Sequence, residues 1–436
     1  MTDYLKFPDS RLMSWPPVGV PDVLAPSPQP LSIMHPVNIP EKLFVAALDP
    51  LVPLGIAGVY TVIVKTLSAY NRANGKKPWA ISKTRIFNAF VVLHNIFLAV
   101  YSAWTFVAMV GVMRRSIYSP FGPDGWAGTA DSFCRIQGPP GLGNSIYYND
   151  TAGHWDSLST EAQVTLENGL PSSTQPGRLW NEGLAYYGWI FYLSKFYEVI
   201  DTLIILAKGK PSSTLQTYHH AGAMMCMWAA MRYMSAPGWI FAYFNSFIHS
   251  LMYTYYTVTA FGVKVPLFMK RSLTTLQITQ FFLGGGGAFV HTFIHYIVPM
   301  TVVTSKASPP AEPATTSILS AAADALDMLQ QQLRGVPSDA GIETQNTLQP
   351  CIVTPGETFA IWLNVIYLTP LTYLFMSFFV SSYVKRSNAE KKKLGGKNAA
   401  PQLNVTLAEK AGWDAAKDVS KVYNGESEAK GKSEKN

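Results

Sequence analysis

Charge is what this chain has least of. Asp, Glu, Lys and Arg together make up 14% of its 436 residues, against about 25% in an average soluble domain. Length alone would allow two or three soluble domains, and the shortage of charge argues against that arrangement. Cysteine is nearly absent too. Three residues, Cys134, Cys226 and Cys351, are too few for a disulfide scaffold or a cysteine metal cluster. Residues 1–45 are rich in Pro and polar groups and lack an apolar h-region. No cleavable signal peptide is therefore expected, and the first apolar helix should itself direct the chain to a membrane. No internal repeat is present.

What the chain does have is long apolar runs: 48% of its residues are hydrophobic and 13% aromatic. A hydrocarbon core of about 30 Å needs roughly 20 such residues in a row. About seven stretches meet that length: Leu48 to Ser68, Phe87 to Val112, Leu184 to Ala207, Thr214 to Tyr233, Trp239 to Phe261, Thr275 to Val303, and Thr358 to Tyr383. The expected fold class is an all-α integral membrane protein with about seven transmembrane helices. Residues 1–45 form an N-terminal tail, 46–385 the helical domain, and 386–436 a Lys-, Glu- and Gly-rich tail expected to be disordered.

The net charge of +7 is unevenly placed, and Lys and Arg in short loops set orientation. Arg72, Lys76, Lys77, Lys83 and Arg85 follow the first span. Lys208 and Lys210, then Lys264, Lys270 and Arg271, then Lys385, Arg386 and Lys391 to Lys393 occupy the alternate loops and the tail. All fall on one side, which is then cytosolic; Arg114, Arg115 and Arg232 are minor exceptions. The N-terminus is expected to be lumenal and the C-terminus cytosolic. The long loops 113–182 and 304–357 are then lumenal. They carry the glycosylation acceptor Asn149, and Cys134 and Cys351, which are expected to pair where oxidation is permitted. Cys226 reads as a packing residue, and Ile318 to Leu333 as a short amphipathic helix.

Ionisable groups inside apolar helices carry the functional signal, because each is expensive in lipid and needs a partner or a wet cavity. Helix three ends with Lys195, Glu198, Asp201 and Thr202, the first, second and fourth on one stripe. An ion pair at a helix end would explain two of them; a cavity entrance would explain all four. Helix four opens with Gln216, His219 and His220 on one face, and a purely structural helix gains little from adjacent imidazoles. Helix five bears Asn245, His249, Met252 and Tyr256 along a stripe, with Tyr253 and Tyr255 beside it. An interfacial aromatic belt accounts for the tyrosines but not for Asn and His. Helix six places Thr274, Gln277 and Gln280 three residues apart, where amides can also serve as interhelical glue. Gly284 to Gly287 permits close packing or a kink. His94, His291 and His295 are further polar points with no partner legible in the sequence. By the expected topology the clusters of helices three to six lie toward the cytosol and can converge on one buried site. An anionic soluble head with a long apolar tail would fit such a site.

These residues resemble a known family. Lys195-Phe-Tyr-Glu198-Val-Ile-Asp201-Thr202 is similar to the KxxExxDT box of the ELO family of fatty-acid elongases. Asn245-Ser-Phe-Ile-His249-Ser-Leu-Met252-Tyr253-Thr-Tyr255-Tyr256 resembles its NxxxHxxMYxYY box, and Thr274-Thr-Leu-Gln277-Ile-Thr-Gln280 its TxxQxxQ box. The resemblance spans about Ala47 to Tyr383. It implies helices enclosing a substrate tunnel in the endoplasmic reticulum membrane, and a condensation of acyl-CoA with malonyl-CoA that yields a 3-oxoacyl-CoA, CO₂ and CoA. It implies no bound cofactor or metal and no nucleic acid. Its implied partners are the other elongation-cycle enzymes and a second copy of the chain. Where the family usually shows HxxHH, this chain has Gln216-Thr-Tyr-His219-His220, a form similar to that of members acting on polyunsaturated chains.

Two chemistries stay open under that resemblance. His219 can take the acyl group as an acyl-imidazole, with His220 or His249 as base or orienting partner. Alternatively, His249 can act as base in a direct condensation. Gln216, Asn245, Tyr253, Tyr255 and Tyr256 would donate to thioester or enolate oxygens, and Lys195 with the basic loops would attract CoA phosphates. Two other classes share parts of the pattern. A membrane di-iron desaturase also uses histidine boxes but needs more imidazoles than the eight present, of which His35 and His154 lie outside the membrane region. A seven-helix receptor or retinal protein shares the topology, but Thr358 to Tyr383 holds no Lys for a Schiff base.

Overall fold

The computed structural model describes residues 5–159, 166–305 and 340–393. In chain order the helices are α1 (Glu41–Ala47), α2 (Leu51–Ala73), α3 (Arg85–Ser116), α4 (Gly125–Cys134), α5 (Ala185–Tyr197), α6 (Val199–Ala207), α7 (Thr214–Arg232), α8 (Gly238–Ala260), α9 (Leu267–His291) and α10 (Pro355–Lys393). Three antiparallel two-stranded ladders join them: β1 (Ile146–Asn149) with β2 (His154–Ser157), β3 (Leu166–Glu167) with β4 (Leu170–Pro171), and β5 (His295–Ser305) with β6 (Ala340–Pro350).

Local chemistry sets several helix boundaries. Thr84 caps α3 by accepting from the Phe87 amide, and Ser213 caps α7 by accepting from the Gln216 amide. At α10, Thr354 and Glu357 satisfy each other's amides around Pro355, a capping box with proline at the first helical position. Glu198 itself separates α5 from α6, so the third expected span is two shorter helices in succession.

The protein is mostly helical, and three of its described helices are long and apolar enough to cross a membrane: Leu51–Ala73, Arg85–Ser116 and Pro355–Ser377. Of the others, α5 and α6 are each too short because the chain breaks at Glu198, and α7, α8 and α9 carry the His, Asn and Gln groups, which lower their mean hydropathy. The all-α expectation needs correcting outside the helices, where the ladders lie. In particular, α9 ends at His291 and the expected sixth span gives way to the strand β5. The β-branched run Val302-Val303-Thr304 suits a pleated surface, and β6 supplies the partner that satisfies its amides. Helix α10 runs on to Lys393, past Tyr383 and into the expected tail. Residues 394–436 and the expected helix Ile318 to Leu333 lie outside the described residues.

Helix α3 packs chiefly on α8, while α10 closes against α7 and α9, and α2 against α7. The tetraglycine of α9 allows its approach to α8: a Cβ on Gly284 would lie 2.9 Å from Phe241, and one on Gly287 2.9 Å from Ile240. The central core joins Trp180, Trp189, Tyr192, Met227 and Trp228. Beyond the ends of α3 and α5, Cys134 and Cys351 are joined in a disulfide, Cα to Cα 4.8 Å. Beside it Asp131 takes Arg178 at 2.7 Å and the Tyr296 hydroxyl at 2.9 Å, all buried.

The N-terminal segment is built into the fold. Trp180 donates to the Leu24 carbonyl, Trp104 to Ile33, Tyr187 to Met34, Tyr186 to Val37 and Arg232 to Pro21. A Pro-rich stretch has few amides of its own to pair, so its carbonyls are satisfied by side chains from the bundle.

Candidate active site

Eight helices, α2, α3 and α5 to α10, contribute polar residues to one region. The break at Glu198 turns its carboxylate toward α5, where Lys195 Nζ lies 2.7 Å from Glu198 Oε1. Both side chains are buried, so the pair holds its geometry without competition from water. Lys195 also donates to Asn245 Oδ1 of α8 at 3.0 Å and sits 4.0 Å above the Phe191 ring centroid. Glu198 accepts from Ser194 Oγ at 3.3 Å, and His249 Nδ1 of α8 stands 3.8 Å from the same carboxylate. The ion pair is present, and of Lys195, Glu198, Asp201 and Thr202 only Lys195 lines the cavity between α5 and α7 to α10.

A second knot forms nearly one turn further on. Asp201 accepts from the Tyr253 hydroxyl at 2.5 Å and is 2.9 Å from His94 Nε2. His94 comes from α3 and is fully buried, with its other nitrogen 3.3 Å from the Tyr197 hydroxyl. Thr202 meets the Tyr60 hydroxyl at 3.0 Å and receives a long hydrogen bond, 3.5 Å, from Gln216 Nε2. Gln216 also donates to His220 Nε2 at 2.8 Å, which assigns the proton of a neutral His220 to Nδ1. The amide at position 216 therefore orients an imidazole.

Between α5, α7, α8, α9 and α10 lies a cavity of about 60 Å³. Its polar wall consists of Lys195, His219, Asn245, Gln280 and Asn364, and the rest is largely apolar, including Phe241, Phe244, Phe281 and Leu368. His219 Nδ1 lies 2.9 Å from the Tyr367 hydroxyl. Gln280 Oε1 is buried with no hydrogen-bond partner among the described residues. His220, His249 and Glu198 do not belong to the wall; Glu198 holds Lys195, which does, while His220 is hydrogen-bonded to Gln216 and His249 stands beside Glu198.

Some expected site residues stand apart. Gln277 donates to Met252 Sδ at 3.3 Å, away from the cavity. Tyr255 faces Lys270, 5.9 Å from its ring centroid, and Tyr256 packs edge-on against Tyr253 at 5.9 Å. Lys195 was expected to serve CoA phosphates, yet its ammonium is enclosed by Glu198, Asn245 and Phe191. His291 is turned to its own helix, with Nδ1 2.6 Å from the Gly287 carbonyl, and His295 lies on β5. Asn149 is half-buried at the β1–β2 turn, where its side-chain oxygen accepts from the Thr151 and Ala152 amides.

His94, Tyr60, Asn364 and Tyr367 join the site without being among the residues that the sequence motifs point to. For His94 there was a signal, an imidazole within a strongly apolar helix. For the tyrosines there was none, since aromatic residues are ordinary in such helices.

Residues 45–391 match the family described as ELO, the GNS1/SUR4 family. The chain is similar to Fatty acid elongase sre1 of Dictyostelium discoideum, 39% identical over 102 residues, 23% of this chain and 37% of that protein. It is 35% identical over 105 residues to Very long chain fatty acid elongase 3 of Homo sapiens, 24% of this chain and 38% of that protein. To Long chain fatty acid elongase 1 of Caenorhabditis elegans it is 33% identical over 100 residues, 22% of this chain and 34% of that protein. The chain thus spans well under half the length of the curated relatives it matches. No solved structure matches it.

Proposed function

This chain belongs to the ELO (GNS1/SUR4) family, and on that footing we propose that it condenses malonyl-CoA with a long-chain acyl-CoA, releasing CO₂ and free CoA and leaving a 3-oxoacyl-CoA. The observation that carries this is the cavity. One imidazole, one ammonium and three amides share a wall with aromatic and aliphatic side chains. A thioester would meet the polar wall while its hydrocarbon tail follows the apolar one.

His219 is the proposed nucleophile, because it is the imidazole on the cavity wall, whereas the Cys226 thiol is turned to the Leu363 carbonyl. The imidazole attacks the thioester carbon, the C–S bond breaks, and the thiolate leaves and takes a proton from solvent. Malonyl-CoA then loses CO₂, and its enolate attacks the acyl carbon, returning imidazole and forming the new C–C bond. Asn245, held by Lys195, and Gln280 supply hydrogen bonds to the oxyanions. Glu198 anchors Lys195 and His249, Asp201 anchors Tyr253 and His94, and Gln216 with Thr202 orients His220. Direct condensation with His249 as base is less supported, since His249 is not on the wall.

The proposed setting is the endoplasmic reticulum membrane, with α2, α3, α5–α6, α7, α8, α9 and α10 as seven crossings. The N-terminus is lumenal and the C-terminus cytosolic. The basic loops at the far end from the disulfide support that orientation. The Gln216 form of the histidine box favours a polyunsaturated chain. The partners proposed are the enzymes that reduce and dehydrate the 3-oxoacyl product, and a second copy of this chain.

Purified protein with radiolabelled malonyl-CoA should yield a product two carbons longer, and His219→Ala should remove it. With acyl-CoA alone, rapid quench should trap labelled protein and one equivalent of free CoA. Free CoA without labelled protein would overturn the covalent route. A wild-type protein that elongates no acyl-CoA in a panel of chain lengths and unsaturations would overturn the function.

A further inference from the structure

Tyr367 of α10 lies 148 residues from His219, and its hydroxyl makes two contacts with that residue. It donates to the His219 backbone carbonyl at 2.9 Å and stands 2.9 Å from His219 Nδ1. A carbonyl oxygen only accepts, and a phenol has a single proton to give. If both contacts are hydrogen bonds, the phenol proton goes to the carbonyl and the ring nitrogen must be the donor to the phenol oxygen. Nδ1 then carries the proton, and Nε2 is left with its lone pair.

The helix is shaped to receive this tyrosine. A Cβ on Gly222, one turn beyond His219, would lie 2.2 Å from the Tyr367 ring, so glycine opens the notch the ring occupies. The Tyr218 hydroxyl donates to the Tyr367 carbonyl at 3.1 Å, and the two rings pack at 5.4 Å. Backbone and side chain of Tyr367 are thus both fastened to the turn that carries His219. Tyr367 and His219 also line the same cavity.

We propose that Tyr367 is a positioning residue that locks His219 in its Nδ1-protonated tautomer and presents an unprotonated Nε2 to the substrate. The proposal deepens the elongase reading and rests on it for its catalytic consequence. Nε2 is the atom that attacks the thioester, forming the N–C bond as the C–S bond breaks. The resulting acyl-imidazolium keeps its proton on Nδ1, hydrogen-bonded to the Tyr367 oxygen, until the enolate displaces the ring. Without the hydroxyl, the ring is free to rotate or to place its proton on Nε2, which removes the nucleophile. A hydroxyl that fixes a tautomer is a different device from the Gln216 contact to His220, which acts on the neighbouring ring.

Two independent readouts test this. The first uses full-length protein with only its histidines ¹⁵N-labelled, reconstituted in lipid vesicles, and His219→Ala to assign the resonance by solid-state NMR. Wild type should show protonated Nδ1 and unprotonated Nε2 at His219; Tyr367→Phe should lose that pattern. A wild-type His219 protonated at Nε2, or a pattern unchanged in Tyr367→Phe, would overturn the proposal whatever the protein catalyses. The second is single-turnover acylation with acyl-CoA alone. Tyr367→Phe should slow labelling about tenfold to a hundredfold with the KM for acyl-CoA little changed, and Gly222→Ala, which displaces the ring, should follow it. Labelling within twofold of wild type in a Tyr367→Phe protein of unaltered elution and melting temperature would also overturn it. A wild type that shows the tautomer but elongates nothing would instead remove the elongase reading and leave the positioning intact.

Discussion

Replacing Lys195 with methionine isolates the ion pair at the head of the site. Lys195 and Glu198 are 2.7 Å apart with both side chains 4% exposed. At an effective dielectric constant of about 20 that attraction is roughly 6 kcal/mol before desolvation. Lys195→Met leaves a buried carboxylate whose remaining partners are Ser194 at 3.3 Å and His249 at 3.8 Å. Breaking such a pair from one side costs about 3–5 kcal/mol, most of it from the stranded charge. Lys195→Met with Glu198→Gln removes the charge as well and should recover at least about 2 kcal/mol relative to Lys195→Met alone. Reversible unfolding of wild type, both single variants and the double variant in mixed detergent micelles measures the cycle. Condensation should stay lost in the double variant, because Lys195 also holds Asn245 on the cavity wall. A double variant no more stable than Lys195→Met would refute the stranded-charge account. Full activity in that variant would refute the role given to Lys195.

The same assays reach three other places in the fold. His94→Phe should keep the packing of α3 but deprive Asp201 of its 2.9 Å partner. Turnover should fall about tenfold with the fold retained, read as kcat against melting temperature. Cys134→Ala with Cys351→Ala opens a bond that spans 217 residues, and the membrane already restrains part of that loop. The expected loss is about 2–4 kcal/mol, with kcat per folded molecule unchanged and a mobility shift on non-reducing gels as the control. Asp131→Asn leaves Arg178 buried opposite an amide where a carboxylate stood at 2.7 Å. It should lower stability by about 3–5 kcal/mol without altering acyl-CoA labelling by the protein that folds.

What was legible in the sequence was whatever repeats at helical spacing. Gln216 and His220, and Asn245 and His249, are each one turn apart within a single helix, and Lys195 and Glu198 are about a turn apart at the end of α5, so their proximity follows from helical geometry. Apolar run length likewise announced a membrane protein. It located α2, α3 and α10 best because those helices carry few of the polar boxes. Hydropathy could not separate the end of α9 from β5, because an apolar β-branched run suits a helix or a strand until its partner is known.

Tertiary structure decided the pairings across the chain. Tyr60 meets Thr202 across 142 residues, His94 meets Asp201 across 107, and Tyr367 meets His219 across 148. It also decided that the N-terminal segment is strapped to the bundle by tryptophan, tyrosine and arginine donors. A side chain's neighbours on its own helix are set by the 3.6-residue turn, whereas its neighbours on another helix depend on the rotation and depth at which the two pack. The composition and the boxes therefore carry the class of chemistry. In the mechanism proposed, which nitrogen of His219 faces the substrate depends on a tyrosine that reaches it from α10.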